Sequence, residues 1–212
     1  MRKNIIYSLL LVVAALFAGC ESRLDIEKHG NMGDQNDFYQ TDEQTEQAVA
    51  SMYSSLKGLY YNWFFTKNLL SDDVWCGGGQ RGDNTSLEQL NEYTYGTDNG
   101  MIQGVFSGLY GLIYQSNLVI EKVADDTPAK KRAIAEAKFF RAWANFELVT
   151  LWGTAPLVDH LLEPGEYRQG NSTPEALWAA VESDLNDAIS MNALPSKKNK
   201  DDQETGMRVT QE

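Results

Sequence analysis

Apolar residues recur at three- and four-residue spacing along much of this chain. Ala48, Val49, Met52, Tyr53, Leu56, Leu59 and Tyr60 form one such stripe, which predicts a helix buried on one face and ending near Asn62. Thr41-Asp42-Glu43-Gln44 stands before it as a capping box: Thr41 accepts from the third helical amide and Gln44 reaches back. The apolar run Trp63 to Leu70 predicts a further, shorter helical piece. A second long helix is predicted from about Asn99 to Val123, with Met101, Val105, Phe106, Leu109, Leu112, Ile113, Ser116, Ile120 and Val123 inward. The third runs from Pro128 to Trp152, with Thr127 as N-cap, Pro128 where its missing amide costs nothing, and Gly153 as the stop. Its apolar and small residues lie almost all round, which places it centrally in the core. Phe139, Phe140, Trp143 and Phe146 are read as core aromatics, and Arg141 among them must be paired. Asn145, Glu136 and Asp72 are the expected partners. Thr173-Pro174 opens a fourth helix, with Leu177, Trp178, Val181, Leu185, Ala188 and Ile189 inward.

These elements predict an all-α fold. Helix pairs of about 50 residues with short connections suggest stacked helical hairpins of tetratricopeptide-like type. Residues 71–99 break the pattern with four glycines between positions 77 and 82 and several Asn and Asp, and read as a long loop with a little extended structure. Long loops within compact domains are more often functional or mobile than idle. After Pro195 and the charged stretch Lys197–Glu204, Met207 to Glu212 looks like the start of a fifth helix capped by Thr210. That predicts a fragment or a truncated product of a longer protein.

The first twenty residues change the picture. Arg2 and Lys3, the apolar run Ile5 to Ala15, and Leu16-Phe17-Ala18-Gly19-Cys20 follow the order of a cleavable export signal. The cysteine directly after the small residues points to a lipoprotein signal. An ordinary secretory signal and an uncleaved anchor are the alternatives. The resulting division is a signal peptide over 1–19, a lipid-anchored tether over 20–36 and an α-helical domain over 37–212. Stable anchoring at Cys20 takes more than one acyl chain.

Removing the signal leaves 16 basic against 30 acidic residues, a charge of −14. Such a surface argues against nucleic acid, which needs clustered Lys and Arg. With Cys20 acylated, Cys76 has no partner for an internal disulfide. His29 and His160 are the only histidines, and neither is placed for a zinc site or a nucleophile–base pair. Neither a metal nor a cofactor is expected. Gly77, Gly79 and Gly82 fit a GxGxxG pattern, but no strand precedes them and no convincing helix opens on them. Asp72 and Asp73 are adjacent carboxylates; neighbours in sequence usually point apart, so a cap or a buried hydrogen bond is expected rather than a glycosidase pair.

Several blocks together resemble the N-terminal part of SusD/RagB-type outer-membrane nutrient-uptake lipoproteins. They are the signal ending in Cys20, Asp37–Leu56, Leu69–Trp75, Val105–Val123, Ala135–Val158 and Thr173–Pro195 running on to Arg208–Thr210. The most specific is Ala135–Val158, with Arg141 beside aromatics, a Trp-Gly exit and a Pro. Thr154-Ala155 before Pro156 departs from the family's usual residues. The resemblance implies a lipid-anchored, non-catalytic protein on the outer membrane, facing the exterior. It also implies partnership with a SusC-like TonB-dependent β-barrel transporter, and capture of an oligosaccharide or, in RagB-like members, a peptide. A structural helical-repeat lipoprotein without a nutrient ligand is a further alternative, and a lipid-anchored glycoside hydrolase the enzymatic one. A sugar site needs aromatic platforms beside planar polar groups. The loop supplies Trp75, Gln80, Arg81, Asp83, Asn84, Tyr93 and Tyr95 as candidates; alternatively, Trp75 and the tyrosines pack the loop onto the helices.

Overall fold

Helix α1 spans Asp42–Leu69, a single element of 28 residues. Its start is the expected capping box: Thr41 Oγ1 accepts from the Gln44 amide at 3.2 Å, and Gln44 Oε1 accepts from the Thr41 amide at 3.1 Å. The predicted break near Asn62 is absent. No proline interrupts the stretch, and buried Thr66 and Leu69 continue the stripe that Leu59 belongs to. The computed structural model describes residues 38–197 and 208–211. The export signal, Cys20, the tether, His29 and most of the charged stretch after Lys197 lie outside the described residues.

Helix α2, Thr85–Asn91, interrupts what the sequence predicts as loop. Asn84 caps it, and Leu87 and Leu90 bury against Leu69. Helix α3 covers Gly100–Lys122, capped by Asn99 through the amides of Met101 and Ile102. Helix α4 covers Pro128–Trp152, with Thr127 as N-cap and Gly153, at φ 74°, as its stop. Helix α5 covers Pro174–Ser190, capped by Thr173. Between α4 and α5, residues 154–173 form a strap carrying one 3-10 turn, Pro164–Glu166. Among the described residues there is no strand, only an isolated antiparallel bridge between Ala155 and Ser172.

Contacts fix the helix directions. Ser55 Oγ meets Gln115 and Leu59 meets Gly108, so α1 and α3 are antiparallel. A Cβ on Gly108 would stand 2.7 Å from Leu59 Cδ1, so the two helices approach closely there. Asn117 meets Arg141 and Phe106 meets Trp152, so α3 and α4 are antiparallel. Lys138 meets Asp187 and Phe146 meets Trp178, so α4 and α5 are antiparallel. This alternation gives stacked helical hairpins. Met52, Leu59, Leu109, Leu112, Ile113, Phe140, Leu148 and Leu177 fill the core.

Arg141 joins three helices and the strap. Its Nε and Nη2 donate to the two carboxylate oxygens of Asp184 on α5, at 2.7 and 2.6 Å. Its Nη1 donates to Asn117 Oδ1 on α3 at 2.8 Å and to the Asp159 carbonyl at 2.6 Å. None of the three expected partners is used, because the acid that faces it is far along the chain on α5. Further readings are corrected. Phe146 on α4 is 38% exposed. Trp178 and Ile189 are 40% and 50% exposed, since the stripe that α5 turns inward is Leu177, Val181, Asp184 and Ala188. Phe146 and Trp178 pack edge-on against each other at 5.6 Å on the surface. Tyr60, expected in the α1 stripe, is also exposed. Arg208–Gln211 is irregular: Val209 donates its amide to the Tyr53 hydroxyl at 2.8 Å, and Gln211 donates to the Pro195 carbonyl at 3.1 Å.

Candidate functional site

The segment between α1 and α3 is held by its own side chains. Asp83 Oδ2 accepts from the amides of Gly79 at 2.6 Å and Gln80 at 3.0 Å, curling the glycine run around one carboxylate. Gly82, at φ 93°, needs the left-handed conformation that glycine adopts without strain, and its amide donates to Glu88 Oε1 at 2.7 Å. Asn91 Oδ1 accepts from the Cys76 amide at 3.1 Å while its Nδ2 donates to the Val74 carbonyl at 3.0 Å. Arg81 Nη2 pairs with Glu92 Oε2 at 2.8 Å. The segment is therefore tied to α2 at three points and to its C-cap, Glu92, at a fourth.

These ties shape a cleft of about 260 Å³. Trp75, Gly77, Gln80 and Arg81 from the loop and Glu88, Asn91 and Glu92 from α2 and its end line it. Trp75 is 79% exposed. Its indole face is therefore open to solvent and accessible to a ligand. The Cys76 thiol at the cleft is pushed up by burial and then by Glu88 and Glu92, opposite to what a nucleophilic cysteine needs.

The predicted residues divide among several places. Trp75, Gln80 and Arg81 share the cleft. Asp83 folds the glycine run, and Asn84 caps α2 through the Leu87 amide. Tyr93 sits at φ 55° with its hydroxyl donating to the Leu70 carbonyl at 3.1 Å. It also donates to Asp72 Oδ1 at 3.4 Å, which leaves Asp72 exposed and neither a cap nor buried. Tyr95 lines a separate cavity of about 450 Å³ with Thr66, Leu70, Ile102, Leu151 and Trp152. The amides of Gly79, Gln80 and Gly82 are turned onto Asp83 and Glu88, away from any phosphate. Glu88, Asn91 and Glu92 were not anticipated; the Leu87–Leu90 spacing with Asn84 before it was the available signal for the helix that carries them.

A third cavity, of about 530 Å³, lies between α3 and the strap, lined by Tyr110, Tyr114, His160 and Tyr167 among others. The Tyr110 hydroxyl donates to the Pro156 carbonyl at 2.7 Å, and Asn117 Nδ2 to the His160 carbonyl at 2.9 Å. His160 Nδ1 lies 2.8 Å from Asp159 Oδ1 and its Nε2 3.2 Å from Glu166 Oε2. The Asp159 bond, then Glu166, raises the His160 pKa above its usual 6.5. The stabilisation this gives is therefore complete below pH 6.5 and is lost as pH rises through the folded-state value. Amide-exchange protection of Leu161, Glu163 and Glu166 is expected to fall as pH rises above 6.5, and His160→Gln to flatten that fall.

With the geometry in place, comparison with known proteins decides the family. A SusD-like family model, described as starch-binding and associating with the outer membrane, matches residues 26–211. This chain belongs to the SusD-like family. A SusD-like protein of Bacteroides ovatus is 32% identical over 166 residues, covering 72% of this chain and 29% of the relative. A SusD-like protein of Formosa agariphila is 26% identical over 205 residues, covering 90% of this chain and 40% of the relative. The chain thus spans well under half the length of these curated relatives. Among solved structures, a laminarin-binding SusD-like protein superposes with a TM-score of 0.71 at 26% identity, covering 82% of this chain and 38% of that one. The surface glycan-binding protein A of Bacteroides uniformis, at 23% identity and a TM-score of 0.67, shares the fold over 81% of this chain and 39% of its own. The all-α architecture read from the sequence is the SusD-like one.

Proposed function

We propose that this chain carries part of the glycan-capturing surface of a lipid-anchored SusD-like protein on the outer face of the outer membrane. It binds oligosaccharide without cleaving it and hands it to a SusC-like TonB-dependent β-barrel. Acylation at Cys20 tethers it. The observation that carries this reading is the open Trp75 indole beside the polar cleft of Gln80 and Arg81, held by a loop tied to α2. An indole face takes the apolar face of a pyranose ring, and planar polar groups beside it bond the hydroxyls. The family's starch-binding description and the laminarin-binding relative support a glycan as the ligand.

Titration of the full chain with laminarin and xyloglucan tests the reading. Wild type is expected to bind at least one of them. Trp75→Ala is expected to weaken that binding about ten-fold or more, the scale of one lost aromatic contact area. Binding that survives Trp75→Ala unchanged, or no binding by wild type, overturns the reading.

A further inference from the structure

We infer that the cleft beside Trp75 discriminates by charge, accepting uncharged glycans and rejecting polyanionic ones, with Glu92 as a specificity-determining residue. This rests on the glycan-capture reading above and names the class of ligand for the same site.

Proteins recognise uronates and sulfates mainly through charge-assisted bonds from arginine or lysine, or through clustered backbone amides. Residues 69–100 hold a single basic side chain, Arg81, against Asp72, Asp73, Asp83, Glu88, Glu92 and Asp98. Arg81 is engaged by Glu92 at 2.8 Å. An anionic ligand has to compete with Glu92 for it. Glu88 lines the same cleft and accepts the Gly82 amide at 2.7 Å, which places a second negative charge there.

Three amides of the glycine run are also taken. Gly79 and Gln80 donate to Asp83, and Gly82 to Glu88. These three amides already have one of the protein's own carboxylates as their acceptor. The upward push on the Cys76 thiol by burial and by Glu88 and Glu92 agrees with a negative local field. What the cleft still offers is the face of Trp75 and the neutral amide of Gln80, which suit ring faces and hydroxyls. Each exposed charge here is weak in salt. A polyuronate, however, presents a carboxylate on every sugar and meets several of them at once.

The test is isothermal titration of the full chain with laminarin, xyloglucan, polygalacturonate and alginate, at about 20 and about 300 mM NaCl. Wild type is expected to bind a neutral polymer more tightly than either anionic one, with little change in the neutral affinity between the two salts. Glu92→Gln frees Arg81, and the ratio of anionic to neutral affinity is expected to rise about three-fold at low salt, the scale of one exposed ion pair. Adding Arg81→Gln to that variant is expected to restore the wild-type ratio. Wild type binding an anionic polymer as tightly as a neutral one, or Glu92→Gln leaving the ratio unchanged, overturns the inference while the capture reading stands. No binding to any of the four polymers overturns the capture reading, and the inference with it.

Discussion

Replacing Arg141 by methionine is expected to lower unfolding stability by about 3–5 kcal/mol, the cost of breaking a buried ion pair by removing one partner. The guanidinium is almost fully buried and spends its N–H groups on both Asp184 oxygens, on Asn117 and on the Asp159 carbonyl. Methionine fills much of the volume but leaves the Asp184 carboxylate buried without its cation. It also strands Asn117 Oδ1, a buried acceptor whose desolvation is then uncompensated, and frees the Asp159 carbonyl. Arg141→Lys is expected to fall between the two, because an ammonium keeps the charge but cannot serve a bidentate carboxylate and two further acceptors from one plane. The measurement is the urea midpoint at unchanged slope. The double variant Arg141→Met with Asp184→Leu separates charge stranding from packing. It should recover a large part of the loss, since an apolar pair of similar volume often replaces a buried ion pair at little cost. If the double variant is as unstable as the sum of the singles, the pair is not the source of the effect.

Arg141 also marks the limit of what the sequence discloses. Its need for a partner is legible, because a guanidinium inside an apolar helix cannot stay unpaired. The partner is not, because Asp184 lies 43 positions away and only packing of α5 on α4 brings it there. The caps were legible for the opposite reason: Thr41, Thr127-Pro128, Thr173-Pro174 and Gly153 act on amides within a few residues of themselves. Helix α2 escaped because its seven residues hold only two buried leucines, too few for a period to emerge. The cost of missing it fell on the cleft. Trp75, Gln80 and Arg81 could be nominated by residue type, but Glu88, Asn91 and Glu92 come into place only through that helix. Exposure misled in the same way at Trp178 and Ile189, whose apolar character suggested burial although α5 turns Asp184 inward to meet Arg141.

Truncating Glu136 to alanine is expected to cost about 3 kcal/mol, while Glu136→Gln is expected to cost far less. Glu136 is completely buried and is a shared acceptor. Arg132 Nε reaches Oε1 at 3.0 Å, Arg208 Nη2 reaches it at 2.9 Å, and the Tyr53 hydroxyl donates to Oε2 at 3.1 Å. Alanine removes the acceptor for all three and opens a void between α1 and α4. Glutamine keeps the shape and one carbonyl. Burial raises the Glu136 pKa, with Arg208 and Arg132 pulling against it, and burial, then Glu136, pushes Tyr53 up to about 12. The net upward shift means that the folded protein holds the ionised carboxylate at some cost. Its contribution to stability is therefore present below the ordinary 4.5 and lost as pH rises through the folded value. Protonated glutamic acid and glutamine are near-isosteres. The wild type and Glu136→Gln should thus converge in urea midpoint as pH falls toward 4, whereas Glu136→Ala stays below both. Because Val209 donates its amide to Tyr53, Glu136→Ala is also expected to speed exchange at that amide. Equal damage from glutamine and alanine at pH 7 would show instead that the negative charge itself, and not the shape and the acceptor, holds this junction.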